Sequence, residues 1–262
     1  MVISKETLYP YLLYNKPIPY DENIILYPIT MEHYILFNSL IESLTIRKNS
    51  IFRSKKIVKM SYLDFLIFSF SNEELENEYN IPNLSKYYIY AVQLLQMCCK
   101  NADVKINQGT LDIYINSEKI TPKIFDDIRK IIFIQNDVDY DDKFLNRETE
   151  ELLNKAQEKM NRNIDKAEIE DYIDSLIVAL NIDENRVMNM TIRKFWRYVN
   201  RLQLHENYTI CKTGECSGLV KFKEPIRYWM LSIEKSDKYS NLKASEDSVR
   251  SKMDNLLLLF FM

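Results

Sequence analysis

RVMNMTIRKFWRYVNRLQLHENYTICKTGECSGLVKFKEPIRYWM, residues 186–230, holds both tryptophans of the chain, Trp196 and Trp229, and two of its four cysteines. Nine of these residues are Lys or Arg and three are Glu (Glu206, Glu215, Glu224), in a chain of net charge −3. Thr191 reads as the cap of a long helix, TIRKFWRYVNRLQLHENYTICKTG. Ile192, Phe195, Trp196, Val199 and Leu202 recur at helical spacing and predict its inward face. Arg193, Lys194, Arg197 and Arg201 predict a basic outer stripe. Gly214 or Gly218 is the expected stop, and Pro225 is the expected start of a further helix, PIRYWMLSIEKSD.

Upstream, DKAEIEDYIDSLIVALN predicts a helix with one wide apolar face (Ile169, Tyr172, Ile173, Leu176, Ile177, Leu180), followed by a short helical turn, DENRVMNM. Before it the composition shifts. Residues 141–174 hold eleven Asp or Glu against six Lys or Arg, which predicts an exposed acidic linker and a domain boundary.

The N-terminal part reads as helices on a proline-rich arm. Four of the seven prolines (Pro10, Pro17, Pro19, Pro28) fall in residues 1–29, which predicts an extended arm with one short strand at 24–27. Thr30 is the expected cap of a helix whose stripe is Met31, Tyr34, Ile35, Phe37, Leu40, Ile41 and Leu44. RKNSIFRSKK reads as a solvated basic loop, SYLDFLIFSF as a second helix and SNEELENEYN as a polar connection. A third helix starts at Pro82–Asn83 and carries Leu84, Tyr88, Ala91, Leu95 and Cys98 or Cys99 inward. DVKINQGTLDIYIN alternates about Gln108–Gly109 and predicts a β-hairpin. Thr121–Pro122 then opens a helix that places Ile124, Ile128, Ile131 and Ile132 against it.

Composition excludes several function classes. Only 3 glycines occur in 262 residues, too few for the phosphate-cradling loops and nucleophile elbows that need positive φ. The near-neutral balance argues against a general nucleic-acid or membrane binder. Four cysteines do not make a disulfide framework for this length, no apolar run approaches a bilayer span, and the first residues lack the pattern of a signal peptide. A reducing cytoplasm is the expectation.

Candidate chemistry is sparse. Cys211 and Cys216, with His205 upstream, come nearest to a metal cluster, but the gap is long and a fourth ligand would have to come from Cys98 or Cys99. Free thiols are the better reading. His33 and His205 have no evident carboxylate partner, so both read as structural, and no catalytic residue or cofactor is expected. SLIVALNIDENRVMNMTIRKFW has the rhythm of a helix-turn-helix, but the short second helix opens with Asp183 and Glu184, which repel phosphate. The basic helix from Thr191 is the better nucleic-acid candidate, yet its aromatics share a face with its aliphatics, as in a core.

SLIVALNIDENRVMNM with MTIRKFWRYVNRLQ, then CKTGECSGLVKFKEPIRYW and the piece LDIYINSEKITPKIFDDIRKIIFIQND, resemble proteins of phages and prophages of low-GC Gram-positive bacteria. The resemblance is to the tail assembly chaperones and covers roughly residues 103–235. It implies a mostly α protein without catalytic activity that coats the tape-measure protein in the host cytoplasm. Some members of that group exist in a short and a frameshift-extended form, and the terminal LLLLFFM could mark the end of a short form.

The expected fold is therefore mainly α, a helical two-part protein with one small β-hairpin. Residues 1–140 form an N-terminal helical domain, 141–163 an acidic helical linker, 164–240 a basic aromatic helical domain and 241–262 a tail. The expected partners are the tape-measure protein or other tail proteins, with a homo-oligomer as a further option and neither membrane nor, by preference, nucleic acid. Partner binding is expected of Arg193, Lys194, Trp196, Arg197, Arg201, Lys221, Lys223 and Trp229. The alternatives are a structural tail or neck component and a helix-turn-helix-like regulator.

Overall fold

A computed structural model describes residues 3–140, 167–218, 220–222 and 224–231. The acidic linker at 141–163, the tail at 241–262 and Lys223 lie outside the described residues. About 60% of the described residues are helical, and two small sheets accompany the helices. The protein is mainly α, as the periodicity predicts.

The proline-rich arm departs from expectation at once. Its first part is a helix, α1 (Lys5–Leu13), despite Pro10. Ser4 and Thr7 close a reciprocal capping box at its start, and Leu8 and Leu12, one turn apart, are buried. Beyond it, β1 (Ile18–Pro19) pairs antiparallel with β2 (Ile25–Leu26). The arm then runs across the ends of two helices. Tyr27 N–H donates to the Cys98 carbonyl at 2.8 Å, Ile29 N–H to Asn136 Oδ1 at 3.0 Å, and Gln135 Nε2 to the Leu26 carbonyl at 3.0 Å. These bonds satisfy backbone groups that a buried extended segment would otherwise leave bare.

Thr30 makes no side-chain cap. A 3₁₀ turn, Met31–His33, leads into α2 (Tyr34–Thr45), which buries Phe37, Leu40, Ile41 and Leu44 but leaves Ile35 77% exposed. The basic run is not loop alone: it enters two short helices, α3 (Lys48–Ile51) and α4 (Lys55–Lys59). α5 (Tyr62–Phe70) follows, capped by Ser61, and SNEELENEYN contains α6 (Glu74–Tyr79). A second 3₁₀ turn, Leu84–Lys86, opens α7 (Tyr87–Cys98). α2 lies along α7, while α5 packs against both α7 and α8 (Pro122–Asn136). Tyr88, Phe65 and Phe125 are fully buried in this core. Burial of each such ring contributes roughly 1.5–3 kcal/mol before conformational entropy is charged against it.

The carboxyl end of α2 is closed by side chains from elsewhere. Tyr62 Oη donates to the Ser43 carbonyl at 2.9 Å and Arg129 Nε to the Leu44 carbonyl at 2.7 Å. The guanidinium lies 3.8 Å from the centre of the Tyr62 ring, and Phe133 and Tyr140 flank it. A cation at a helix C-terminus is favoured by the helix dipole.

The predicted hairpin is present and gains a third strand. β3 (Val104–Ile106) pairs with β4 (Ile113–Ile115), Val104 opposite Ile115 and Ile106 opposite Ile113. Asn107 Oδ1 accepts from Gly109 N–H at 2.9 Å within the connecting loop. β5 (Glu118–Lys119) returns along β4 through Asn116 and Ser117, both at positive φ, as a tight two-residue hairpin turn requires. Thr121 then caps α8 by accepting from Ile124 N–H.

Among the described residues after 166 there are three helices: α9 (Ile169–Leu180), α10 (Glu184–Met188) and α11 (Ile192–Cys216). Left-handed Asn181 ends α9, Asp183 caps α10 by accepting from Arg186 N–H, and Thr191 caps α11 by accepting from Lys194 N–H. At 1.5 Å per residue α11 is about 37 Å long. Its first two turns bury Ile192, Phe195 and Val199; beyond Val199 no described residue is buried. The helix predicted at Pro225 does not form within the described residues: 225–228 are irregular and a turn follows at 229–230. Arg201, donating to carbonyls at Trp229 and Leu231, holds this segment folded back on α11 instead.

Candidate functional site

α11 presents two stripes to two different surroundings. Ile192, Phe195 and Val199 enter the core. Lys194, Tyr198, Arg201, Leu202 and His205, also at three- and four-residue intervals, line a groove of about 1200 Å³. The opposite wall is the arm, with Asn15, Tyr27 and Pro28. The end of α9 gives Leu180 and the chain beyond it Ile182, while Arg186, Asn189 and Met190 come from α10 and the residues leading to α11. Trp229 closes one end, its ring edge-on to His205 at 4.7 Å between centroids.

The electrostatics of this groove are one-sided. Arg186, Lys194 and Arg201 line it, and no Asp or Glu is among the described residues that do. Arg201 is held by the two carbonyls it donates to, and the Lys194 ammonium lies 5.3 Å from the Tyr198 ring centre. Neither Arg186 nor Lys194 makes an ion pair among the described residues. The remaining lining mixes aliphatic and aromatic side chains with Asn15, Thr30, Asn189, Thr191 and His205. The groove offers cations and apolar contact to a ligand, and the described residues of its lining include no carboxylate to work with His205 as an acid–base pair.

The residues predicted to bind partners are divided by the fold. Lys194, Arg201 and Trp229 come together in the groove. Arg197 and Lys221 are exposed elsewhere, and Lys223 lies outside the described residues. Trp196 is half-buried between Tyr172, Phe195 and Tyr34, with ring centroids at 5.2, 5.2 and 6.3 Å, so it packs α9 and α11 onto the start of α2. Arg193 corrects the predicted outer stripe. It is only 6% exposed, and its Nη1 donates to the Leu12 carbonyl at 3.1 Å, capping the end of α1. Burial, and secondarily the nearby Arg197 charge, push its pKa down from the ordinary guanidinium value.

Sequence reasoning missed Arg186, Tyr198, Met190 and the arm residues. The stripe 194–198–201–205 was visible as a heptad-like series on α11. Tyr27 and Pro28 carried no such signal, because their place in the wall depends on how the arm crosses α7 and α8.

The cysteines are dispersed. Cys98 and Cys99 are buried, and burial pushes both thiols up, Cys99 to about 12. Cys211 is half-buried and Cys216 exposed on the outer part of α11. Among the described residues no three His, Cys, Asp or Glu side chains are grouped to hold a metal ion. No helix among them is long and apolar enough to cross a membrane.

Residues 156–234 match the model of a family described as the YomV second domain, a phage-type family. The chain is similar to that family over α9, α10, α11 and the segment folded back on it, the region that supplies most of the groove. No curated protein and no solved structure matches the chain.

Proposed function

We propose that this chain is a non-enzymatic phage protein that holds a helical segment of a partner, acting as a tail assembly chaperone for the tape-measure protein in the host cytoplasm. The groove beside α11, with no carboxylate among the described residues that line it, carries this reading, because helix-in-groove recognition needs apolar floor and flanking charge together. The phage-type family match over the same helices supports the setting. A regulator reading is less favoured by the geometry. α10 is only five residues long with Val187 fully buried, and the first turn of α11, where a recognition helix meets base edges, is packed against the arm.

The test is affinity capture of the tagged chain from phage-producing cells, with mass spectrometry of its companions and of purified particles. The chaperone reading expects the tape-measure protein in the capture and the chain absent from finished particles. Stoichiometric presence in particles would replace it with a structural tail or neck component.

A further inference from the structure

We infer that the groove accepts an acidic amphipathic helix, its carboxylates meeting Arg186 and Lys194 and a large apolar side chain resting on Met190 and Leu202. The inference rests on the client-binding reading and gives the client segment its chemistry.

Size comes first. Compact ligands occupy pockets of roughly 300–1,000 Å³. At about 1200 Å³, this groove exceeds that range and suits a stretch of polypeptide. Its length agrees: from Lys194 to His205 the lining stripe covers three turns of α11, about 16 Å.

Charge decides the sign of the partner. Among the described residues neither Arg186, from α10, nor Lys194, from α11, has an ion-pair partner, so both are open to an incoming anion. The floor decides its form. Leu180, Ile182, Met190 and Leu202 provide apolar surface that a phosphate backbone would leave unsatisfied. A helix with Glu on its flanks and Leu on one face fills both requirements. A nucleic-acid strand fills only the first.

The experiment uses the full chain and three fluorescein-labelled probes read by anisotropy. These are an acidic amphipathic 14-residue peptide built from Glu, Leu and Ala, a scrambled peptide of the same composition, and a single-stranded dT20 oligonucleotide. The amphipathic probe should bind saturably and the scrambled one much more weakly. Lys194→Glu and Arg186→Glu change side chains outside the core and should each weaken binding about 10-fold, whereas Lys130→Glu, away from the groove, should not. A probe with Lys in place of Glu should bind the Lys194→Glu, Arg186→Glu double variant better than it binds the unaltered chain. Equal binding of the scrambled peptide, stronger binding of dT20 through the same two residues, or no binding of any probe would overturn the inference. The two readings fail separately. Tape-measure protein captured equally well by the double variant would remove the groove and leave the chaperone. A working charge swap with no tail protein captured would do the reverse.

Discussion

Thr30 and Thr191 stand opposite each other in an isolated antiparallel bridge. Met31 N–H donates to the Met190 carbonyl and Ile192 N–H to the Ile29 carbonyl, both at 2.9 Å. Thr191 Oγ1 also donates to Asn15 Oδ1 at 3.2 Å. The arm is thereby stitched to the start of α11, and the groove between them has two walls fixed to each other.

Arg193 completes that seam, so Arg193→Ala should destabilise the fold. The variant leaves the Leu12 carbonyl without its charged donor, a loss of about 2 kcal/mol. The urea midpoint should fall accordingly. An unchanged midpoint would mean that the guanidinium contributes nothing net in its half-apolar surroundings.

Within α2, Phe37 and Ile35 should separate cleanly. Phe37→Ala removes a buried ring and should cost roughly 3–5 kcal/mol. Ile35→Ala, at a position 77% exposed, should stay within about 0.5 kcal/mol. Comparable shifts for both in thermal melts would refute the burial pattern of this helix.

Thiol labelling should sort the four cysteines into two classes. Cys216 is exposed and Cys211 half-buried, whereas Cys98 and Cys99 are buried with thiols held neutral. With iodoacetamide at neutral pH, Cys216 should label first and Cys211 next. Cys98 and Cys99 should label only as the chain unfolds, and rapid native-state labelling of either would contradict the core.

Alkali should unfold the protein. Burial first, and the Asp112 charge second, push Tyr88 up to about 12, and burial pushes Cys99 to about 12 from an ordinary thiol value of 9.0. Burial also raises Tyr62 and Cys98. All four groups are kept neutral by the fold, while the unfolded chain loses its protons near the ordinary thiol and phenol values. Above about pH 9 the unfolded state therefore binds fewer protons than the folded one, and stability falls as pH rises. Urea midpoints should be level from about pH 7 to 8.5 and decline through the window from 9 to 12. A level profile to about pH 11 would show that these groups are solvated in the folded state.

Much of the helical layout was legible because amphipathic periodicity and caps are local. Ser61, Thr121 and Thr191 each accept from the backbone N–H three residues on, at the helix starts their sequence context announces. Other signals were misread for reasons that are equally physical. Pro10 argued for extended chain, but the Ser4–Thr7 capping box and the Leu8–Leu12 pair outweighed it. The charge of Arg193 argues for solvent, although its place beside Ile192 and before Phe195 lies at the edge of the buried face. Its burial became tolerable only because α1 ends nearby with a carbonyl to accept from it.

The amino-acid sequence by itself determined the mainly α class, the starts of α5, α8 and α11, the β3–β4 pairing and the concentration of cations and tryptophans on and around α11. Those properties follow from side-chain spacing of two to four residues, which the chain carries locally. Only the tertiary structure decided that Lys194 and Arg201 would share a groove while Arg193 went inward. It also decided that an arm some 170 residues earlier would supply the opposite wall, with Tyr27 and Thr30 facing α11. The two walls meet through backbone hydrogen bonds at Thr30 and Thr191, which nearly any pair of residues can make, so no side-chain pattern announces them.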